Sequence, residues 1–418
     1  MTPLDEPLNA VVRPPGSKSI TNRALLCAAL AEGTSHLDGV LAAEDASAML
    51  GAIAAIGATV TMSNERATIG GVGGQPKLTT QKIDARQSGT TGRFILPAAC
   101  LGVGEALVDG APQLRERPMG PIVEALRGLG ADISTGHTPS GMPMTVHAKG
   151  LRGGSIELPG DTSSQFLSGL LLSAPCMAEG LTITITTPLV SRPYVDMTIA
   201  VMRSFGAVVT EPQHNIFVVS PGGYRAVDYD IEPDASAASY PWAAAAIAGG
   251  SVTVQGLGTD SVQGDVAFVD VLEQMGAVVE RHRDHITVTR TGTLHGVDVD
   301  LTDISDTAPT FAVVAAFADS PSRATGIGFI RNKETDRIAA VVTELRRCGI
   351  AATEEPDGFT VTPGKAHSAT VRTYDDHRMA MSFALIGLVH EGIAIADPRC
   401  VAKTYPQYWA MLEELQDR

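Results

Sequence analysis

Aromatic side chains make up only 5% of this chain, while Ala and Gly are plentiful, with 43 Gly in 418 residues. A core poor in aromatic bulk has to be built from small side chains on closely approaching elements. Positive charge is also short: 31 Lys and Arg stand against 46 Asp and Glu, a net charge of −15. That excludes the basic footprint of a nucleic-acid binder, but not small anionic ligands, which respond to local charge. The five cysteines form no CxxC pair, and Cys27, Cys100 and Cys176 lie inside Ala/Leu-rich runs. A disulfide framework or a zinc site is therefore not expected, and neither a metal nor another cofactor is called for. No long uninterrupted apolar span occurs, and the opening MTPLDEPLNAVV lacks a basic region followed by an apolar one. These absences describe a soluble, cytoplasmic protein with no membrane partner and no targeting segment.

What the chain has is self-similarity. At 418 residues it exceeds the size at which one core stops growing, so two domains are the default. A helix-like stretch ending in Gly and running into a β-type tail occurs five times: AIAAIGATV, ALRGLGADI, VMRSFGAVV, VLEQMGAVV and ELRRCGIAA. The glycines, Gly57, Gly130, Gly206, Gly276 and Gly349, are 73, 76, 70 and 73 residues apart. Each reads as the residue just past a helix end, and each tail as a strand.

A second series interleaves with the first. Six polar clusters open Ala- or Leu-rich runs: GSKSITNRALLCAAL, QSGTTGRFILPAACL, DTSSQFLSGLLLSA, DASAASYPWAAAAIA, SDTAPTFAVVAAFA and DDHRMAMSFALIGL. With Ser19, Thr90, Ser164, Ser236, Thr307 and His377 aligned, the spacings are 71, 74, 72, 71 and 70. The chain thus reads as six units of about 70 residues in an α/β architecture. The sixth unit has no Gly-strand tail, and a spare strand-like segment, LNAVVRPPG, lies at the other end. The expectation is that this N-terminal strand completes the last unit. Residues 1–12 and 232–418 would then form a discontinuous domain of three units, and 13–231 a continuous one.

Short polar residues at helix starts are N-caps on the plain reading. Six equivalent helix starts carrying Lys18, Arg23, Arg93 and Arg378 point further, because unpaired N–H groups and the helix dipole favour anions there. PGSKS is not an NTP loop, since Val12 stands where the G-x-x-x-x-G-K-S pattern needs Gly, and GGVGG at 70–74 reads as a turn. Three stretches are unusually charged for so apolar a chain: LRERPMG with Arg115 and Arg117, RNKETDRI with Lys333, Glu334, Asp336 and Arg337, and VAKTYPQYW with Lys403.

Taken in order, PGSKSITNRAL, SGTTGRF, RERPMG, DTSSQF, SRPYVDMT, KETDRI, DDHRMAM and AKTYPQYW resemble the signature segments of the enolpyruvyl transferase family, in the branch acting on shikimate 3-phosphate. The resemblance runs from about residue 11 to 410. It implies two domains, each of three βαβαββ-type units, with substrates in the cleft between them and domain closure on binding. It implies transfer of the carboxyvinyl group of phosphoenolpyruvate to the 5-hydroxyl of shikimate 3-phosphate by a monomer that is a glyphosate target.

Carried over by residue, the resemblance places Lys18, Ser19, Arg23, Ser163, Ser164, Gln165 and Ser191 on shikimate 3-phosphate, with Tyr194 as a further candidate. Asp306 and Lys333 would meet the acceptor hydroxyls. Lys18, Gly89, Arg117, Gln165, Arg337, Arg378 and Lys403 would hold phosphoenolpyruvate. Two positions depart from the commonest pattern: Gln87 and Phe329 stand where Asn is usual. Asp306 suits the base that takes the hydroxyl proton, and Glu334 or Lys403 the donor to the methylene carbon. His377 is as readily structural as functional. Two alternatives stay open: a UDP-N-acetylglucosamine enolpyruvyl transferase, against which the Cys-free stretch from Gly102 to Gly120 counts, and a non-catalytic binder of phosphorylated metabolites.

Overall fold

Short polar residues start the apolar helices because their side-chain oxygens reach the unpaired N–H groups of the first turn. In the computed structural model, which describes residues 3, 4 and 6–416, Ser17 accepts from Ile20 N ahead of the Lys18–Leu30 helix. Residues 1, 2, 5, 417 and 418 of the expected domain ranges lie outside the described residues. Ser88 accepts from Thr91 N ahead of Gly89–Cys100, and Ser163 from Gln165 N ahead of Ser164–Ser173. Asp234 and Asp376 do the same for Ala235–Ala248 and His377–Ala384. The Ala308–Ala315 helix is different: Thr307 precedes it, but its hydroxyl donates back to Ile304 O at 2.8 Å. These helices are buried on nearly every side, which is why their sequences are apolar all round rather than striped.

At the other kind of helix, glycine ends the structure. Gly57, Gly130, Gly206, Gly276 and Gly349 have φ of 105°, 90°, 87°, 105° and 83°. Each lies one residue past a C-cap (Ile56, Leu129, Phe205, Met275 and Cys348), where a Cβ would be strained. The strands that follow are Thr59–Ser63, Asp132–Thr135, Val209–Gln213, Val278–Arg281 and Ala351–Glu355.

These strands enter mixed four-stranded sheets of one recurring order. In one, Lys77–Asp84 pairs in parallel with Val103–Asp109, which pairs antiparallel with Met144–Lys149, which in turn pairs antiparallel with Asp132–Thr135. Gly154–Leu158, Leu181–Ile185, Ile216–Val219 and Val209–Gln213 repeat it. The parallel pair in each is joined through a helix, as a parallel crossover requires. The architecture is α/β with repeated βαβ-type units.

The N-terminal strand does not complete the last unit. Leu8–Val12 pairs in parallel with Gly250–Gln255, Leu8 opposite Gly250 and Val12 opposite Val254. It heads the sheet that continues through His285–Arg290 and Val278–Arg281. The strand just before that segment in sequence, Asp228–Asp230, pairs instead with Thr34–Asp38. The two leading strands have exchanged partners, and Ala369–Val371 with Ile393–Ile395 remains a two-stranded parallel pair. Side-chain pattern explains the choice: Leu8, Ala10 and Val12 supply three inward apolar groups to the 232–418 core. Asp228–Asp230 can offer only Tyr229, which packs against the other core.

The chain forms two compact units, Met1–Pro15 with Glu232–Arg418, and Gly16–Ile231. Each has its own core, the first around Trp242, Phe268, Phe311 and Phe359, the second around Phe94, Phe166, Phe205 and Phe217. Among the described residues no helix is long and apolar enough to cross a membrane. All five cysteines are free thiols.

Candidate functional site

In the 232–418 unit, Asp336 caps the Arg337–Arg347 helix by accepting from Ala339 N at 3.0 Å, so Arg337 becomes the first helical residue. The residue is 1% exposed, and its guanidinium reaches three carboxylates. Nε donates to Asp376 Oδ2 at 2.8 Å, Nη2 to Glu334 Oε2 at 2.8 Å, and Nη1 to Asp306 Oδ1 at 3.1 Å. Burial alone would lower the Arg337 pKa, yet Asp376, Glu334 and Asp306 together raise it above the ordinary arginine value.

Asp306 also accepts from Arg378 Nη2 at 2.6 Å and lies 3.9 Å from Lys333 Nζ. Lys403 Nζ donates to Glu334 Oε1 at 2.8 Å. Asp306, Lys333, Glu334, Arg337, Arg378 and Lys403 are thus joined in one network, drawn from four stretches of chain. With Asp376 included, four cations (Lys333, Arg337, Arg378 and Lys403) face three carboxylates, so the network carries an excess of one positive charge in a chain of net −15. Phe329, one of the two departures from the family pattern, places its ring 6.0 Å from Lys333 Nζ, within cation–π range.

In the Gly16–Ile231 unit, Lys18 and Ser19 are the first two residues of their helix, with Lys18 Nζ 4.0 Å from Asp45 Oδ2. Arg23 lies one turn on and is buried. It donates to Thr198 Oγ1 at 2.7 Å, Ser19 O at 2.8 Å, Tyr194 O at 3.1 Å and Ser168 Oγ at 3.4 Å, with its guanidinium 5.1 Å above the Phe94 ring. None of these partners is a carboxylate. Burial lowers the Arg23 pKa to about 10, against the opposing influence of Tyr194 and Cys27, so it stays charged at neutral pH.

Gln165 follows its cap Ser163 and links two helix starts: its Oε1 accepts from Arg93 Nη1 at 2.7 Å and its Nε2 donates to Thr90 Oγ1 at 3.4 Å. Beside Thr90, Gly89 faces Arg117 so closely that a Cβ there would lie 2.8 Å from Cζ. Gly89, Arg117, Ser163 and Gln165 therefore form one group, and Lys18, Ser19, Arg23 and Tyr194 a second. Ser164 is buried at the first position of its helix. Ser191 precedes the Arg192–Ser204 helix in a left-handed conformation (φ 53°) and does not cap it. Gln87, the other departure, donates to Gln113 Oε1 at 3.0 Å on the turn before Gly89.

Three charged residues belong to these groups without a substrate assigned to them in the sequence reading. Asp45 opens the Glu44–Ala55 helix, where an acid is unremarkable. Arg93 stands out only as a cation in SGTTGRF. Asp376 is legible as a cap, and it is one, but its other oxygen is spent on Arg337. Nothing local announces that second task.

A family model described as EPSP synthase (3-phosphoshikimate 1-carboxyvinyltransferase) matches residues 4–412. A 3-phosphoshikimate 1-carboxyvinyltransferase of Nostoc punctiforme is 43% identical over 418 residues, covering 99% of this chain and 98% of that protein. One from Serratia proteamaculans is 43% identical over 420 residues, covering 98% and 96%. A solved EPSP synthase structure from Acinetobacter baumannii superposes with a TM-score of 0.85 at 27% identity, covering 99% of this chain and 97% of that one.

Proposed function

The chain belongs to the EPSP synthase family, and from that premise we propose how its own residues serve the reaction. It is a transferase that moves the enolpyruvyl group of phosphoenolpyruvate to shikimate 3-phosphate in aromatic amino-acid biosynthesis. The observation that carries the site reading is the Asp306–Arg337–Glu334–Lys403 network with Arg378 and Lys333, a positive cluster whose cations are held by carboxylates.

Arg337, Arg378 and Lys403 bind the carboxylate and phosphate of phosphoenolpyruvate, with Lys18, Gly89, Arg117 and Gln165 completing its site. Forked guanidinium contacts suit both anions. Lys18, Ser19, Arg23, Ser163, Ser164, Gln165 and Ser191 hold shikimate 3-phosphate, and Lys333 meets its hydroxyls with Asp306.

Asp306 and Glu334 stand in for substrate anions until these arrive. Once phosphoenolpyruvate takes over Arg337 and Arg378, Asp306 is released to accept the proton of the 5-hydroxyl as its oxygen bonds to C2 of phosphoenolpyruvate. The methylene carbon gains a proton from the Glu334–Lys403 pair, giving a tetrahedral ketal phosphate. Loss of a methyl proton and of phosphate then restores the vinyl group on the new ether.

Phosphate release should depend on shikimate 3-phosphate and survive thiol alkylation. Burial pushes the Cys100, Cys176 and Cys400 thiols up to about 12 and Cys348 to about 11, and raises Cys27 further, so little reactive thiolate is present at neutral pH. Turnover only with UDP-N-acetylglucosamine as acceptor would sink the reading.

Gly89→Ala tests the phosphoenolpyruvate site itself. The added methyl must push the Arg117 guanidinium away. Overpacking of this kind costs about 1–3 kcal/mol, so the KM for phosphoenolpyruvate should rise about 10-fold, with glyphosate inhibition weakened in parallel. An unchanged KM and inhibition constant would place the SGTTGR segment elsewhere.

A further inference from the structure

Among the buried carboxylates of the 232–418 unit that lie outside the network, one sits on the same helix as Arg337. Glu344 is wholly buried on the Arg337–Arg347 helix, seven residues beyond Arg337. A buried carboxylate is strongly unfavourable unless its oxygens are satisfied. Here Oε2 accepts from Arg347 Nε at 2.8 Å and from Arg372 N at 2.9 Å, and Oε1 accepts from the Tyr374 hydroxyl at 2.7 Å. Two of those three donors belong to the turn that leads into the His377–Ala384 helix.

That turn is under strain. Tyr374 and Asp375 are consecutive non-glycine residues with φ of 55° and 56°, a left-handed conformation that L side chains disfavour. The next residue is Asp376, which caps the helix and holds Arg337, and two further on comes Arg378, which reaches Asp306. The direction in which Arg378 leaves its helix therefore depends on a conformation the turn would not keep by itself. The Arg337–Arg347 helix grips the turn at both ends: Arg337 at Asp376, and Glu344, about 10 Å further along the helix, at Arg372 and Tyr374.

We infer that Glu344 is a positioning residue for phosphoenolpyruvate binding: by clamping Arg372 and Tyr374 it holds the strained turn that aims Arg378 and Asp376. This rests on the proposed role of Arg337 and Arg378. The carboxylate accepts from all three neighbours at once; in an amide, an oxygen turned to Arg347 Nε and Arg372 N leaves the NH2 facing the Tyr374 hydroxyl, which must then reverse from donor to acceptor.

The test compares steady-state constants of Glu344→Gln, Tyr374→Phe, the double variant Glu344→Gln with Asp375→Gly, and Arg378→Lys. Glu344→Gln should raise the KM for phosphoenolpyruvate about 10-fold and leave that for shikimate 3-phosphate within about twofold. Tyr374→Phe, which loses a single hydroxyl from a residue 39% exposed, should raise it about threefold. Adding Asp375→Gly should return the Glu344→Gln value toward the parent, since Gly adopts φ near +56° without strain. A purely structural Glu344 would lower the melting temperature, leave KM unchanged in both single variants and show no rescue; that result overturns the inference. If Glu344→Gln does not fold, the Tyr374→Phe KM decides alone. Arg378→Lys separates the two levels: an unchanged KM there defeats the underlying site reading, whereas a raised KM there with none in the clamp variants defeats this inference only.

Discussion

Asp306→Ala is expected to lower kcat by about 10²–10⁴-fold, the usual scale for loss of a general acid–base group. Two roles compete for this carboxylate. It accepts from Arg337 at 3.1 Å and Arg378 at 2.6 Å, so it could merely hold cations in place. Asp306→Asn separates them. The amide keeps an oxygen for one guanidinium but cannot take a proton, so a base predicts that Asn is nearly as slow as Ala. A placeholder predicts that Asn recovers most of the rate and that the loss appears in the KM for phosphoenolpyruvate. Removing the carboxylate also takes a competitor from the arginines, which should tighten phosphoenolpyruvate binding slightly even as turnover collapses. A kcat within a few-fold of the parent in both variants would remove Asp306 from the chemistry.

Arg337→Met should destabilise the protein by about 3–5 kcal/mol, the scale for removing one partner of a buried ion pair. The apolar side chain fills much of the same space but strands carboxylates unequally. Asp306 keeps Arg378, and Glu334 keeps Lys403. Asp376 is fully buried and loses both contacts from the guanidinium, at 2.8 and 3.3 Å. What it keeps is the backbone N–H of Arg378 at 2.9 Å and His377 Nδ1 at 3.7 Å. A drop of that size should lower the thermal midpoint by more than about 6 °C. Arg337→Lys should recover only part of the loss, because an ammonium cannot fork across Asp376 while reaching Glu334 and Asp306. A midpoint unchanged in Arg337→Met would mean that the surrounding cations already neutralise Asp376, leaving Arg337 with a binding role alone.

Legibility of the site followed the same divide as that of the fold. Lys333, Glu334, Arg337, Arg378 and Lys403 stand out in the sequence as charge misplaced in an apolar chain. That Asp306, Glu334 and Asp376 share a single guanidinium does not, because the three come from separate segments. Arg23 shows the opposite case. Its polar cluster is conspicuous, but only the packed helices reveal that four of its five N–H donors go to Thr198, Ser19, Tyr194 and Ser168. Glu344 looks like an ordinary surface acid in TELRRCG, three residues from Arg347, until the turn at 372–375 closes over it.

By itself the sequence determined where helices begin and end and that the pattern recurs. Capping joins residues two or three apart, and a left-handed C′ position needs only its own missing Cβ, so Ser17, Ser88, Ser163, Gly57 and Gly349 announce themselves without tertiary help. Strand partners were decided only in three dimensions. Leu8–Val12 reads as a strand, but its sheet depends on which core has room for Leu8, Ala10 and Val12, and the same competition sends Asp228–Asp230 to Thr34–Asp38. A β-strand carries its hydrogen-bonding groups on both edges with no local address, so a partner some 240 residues away is chosen by burial of side chains and not by anything written beside it.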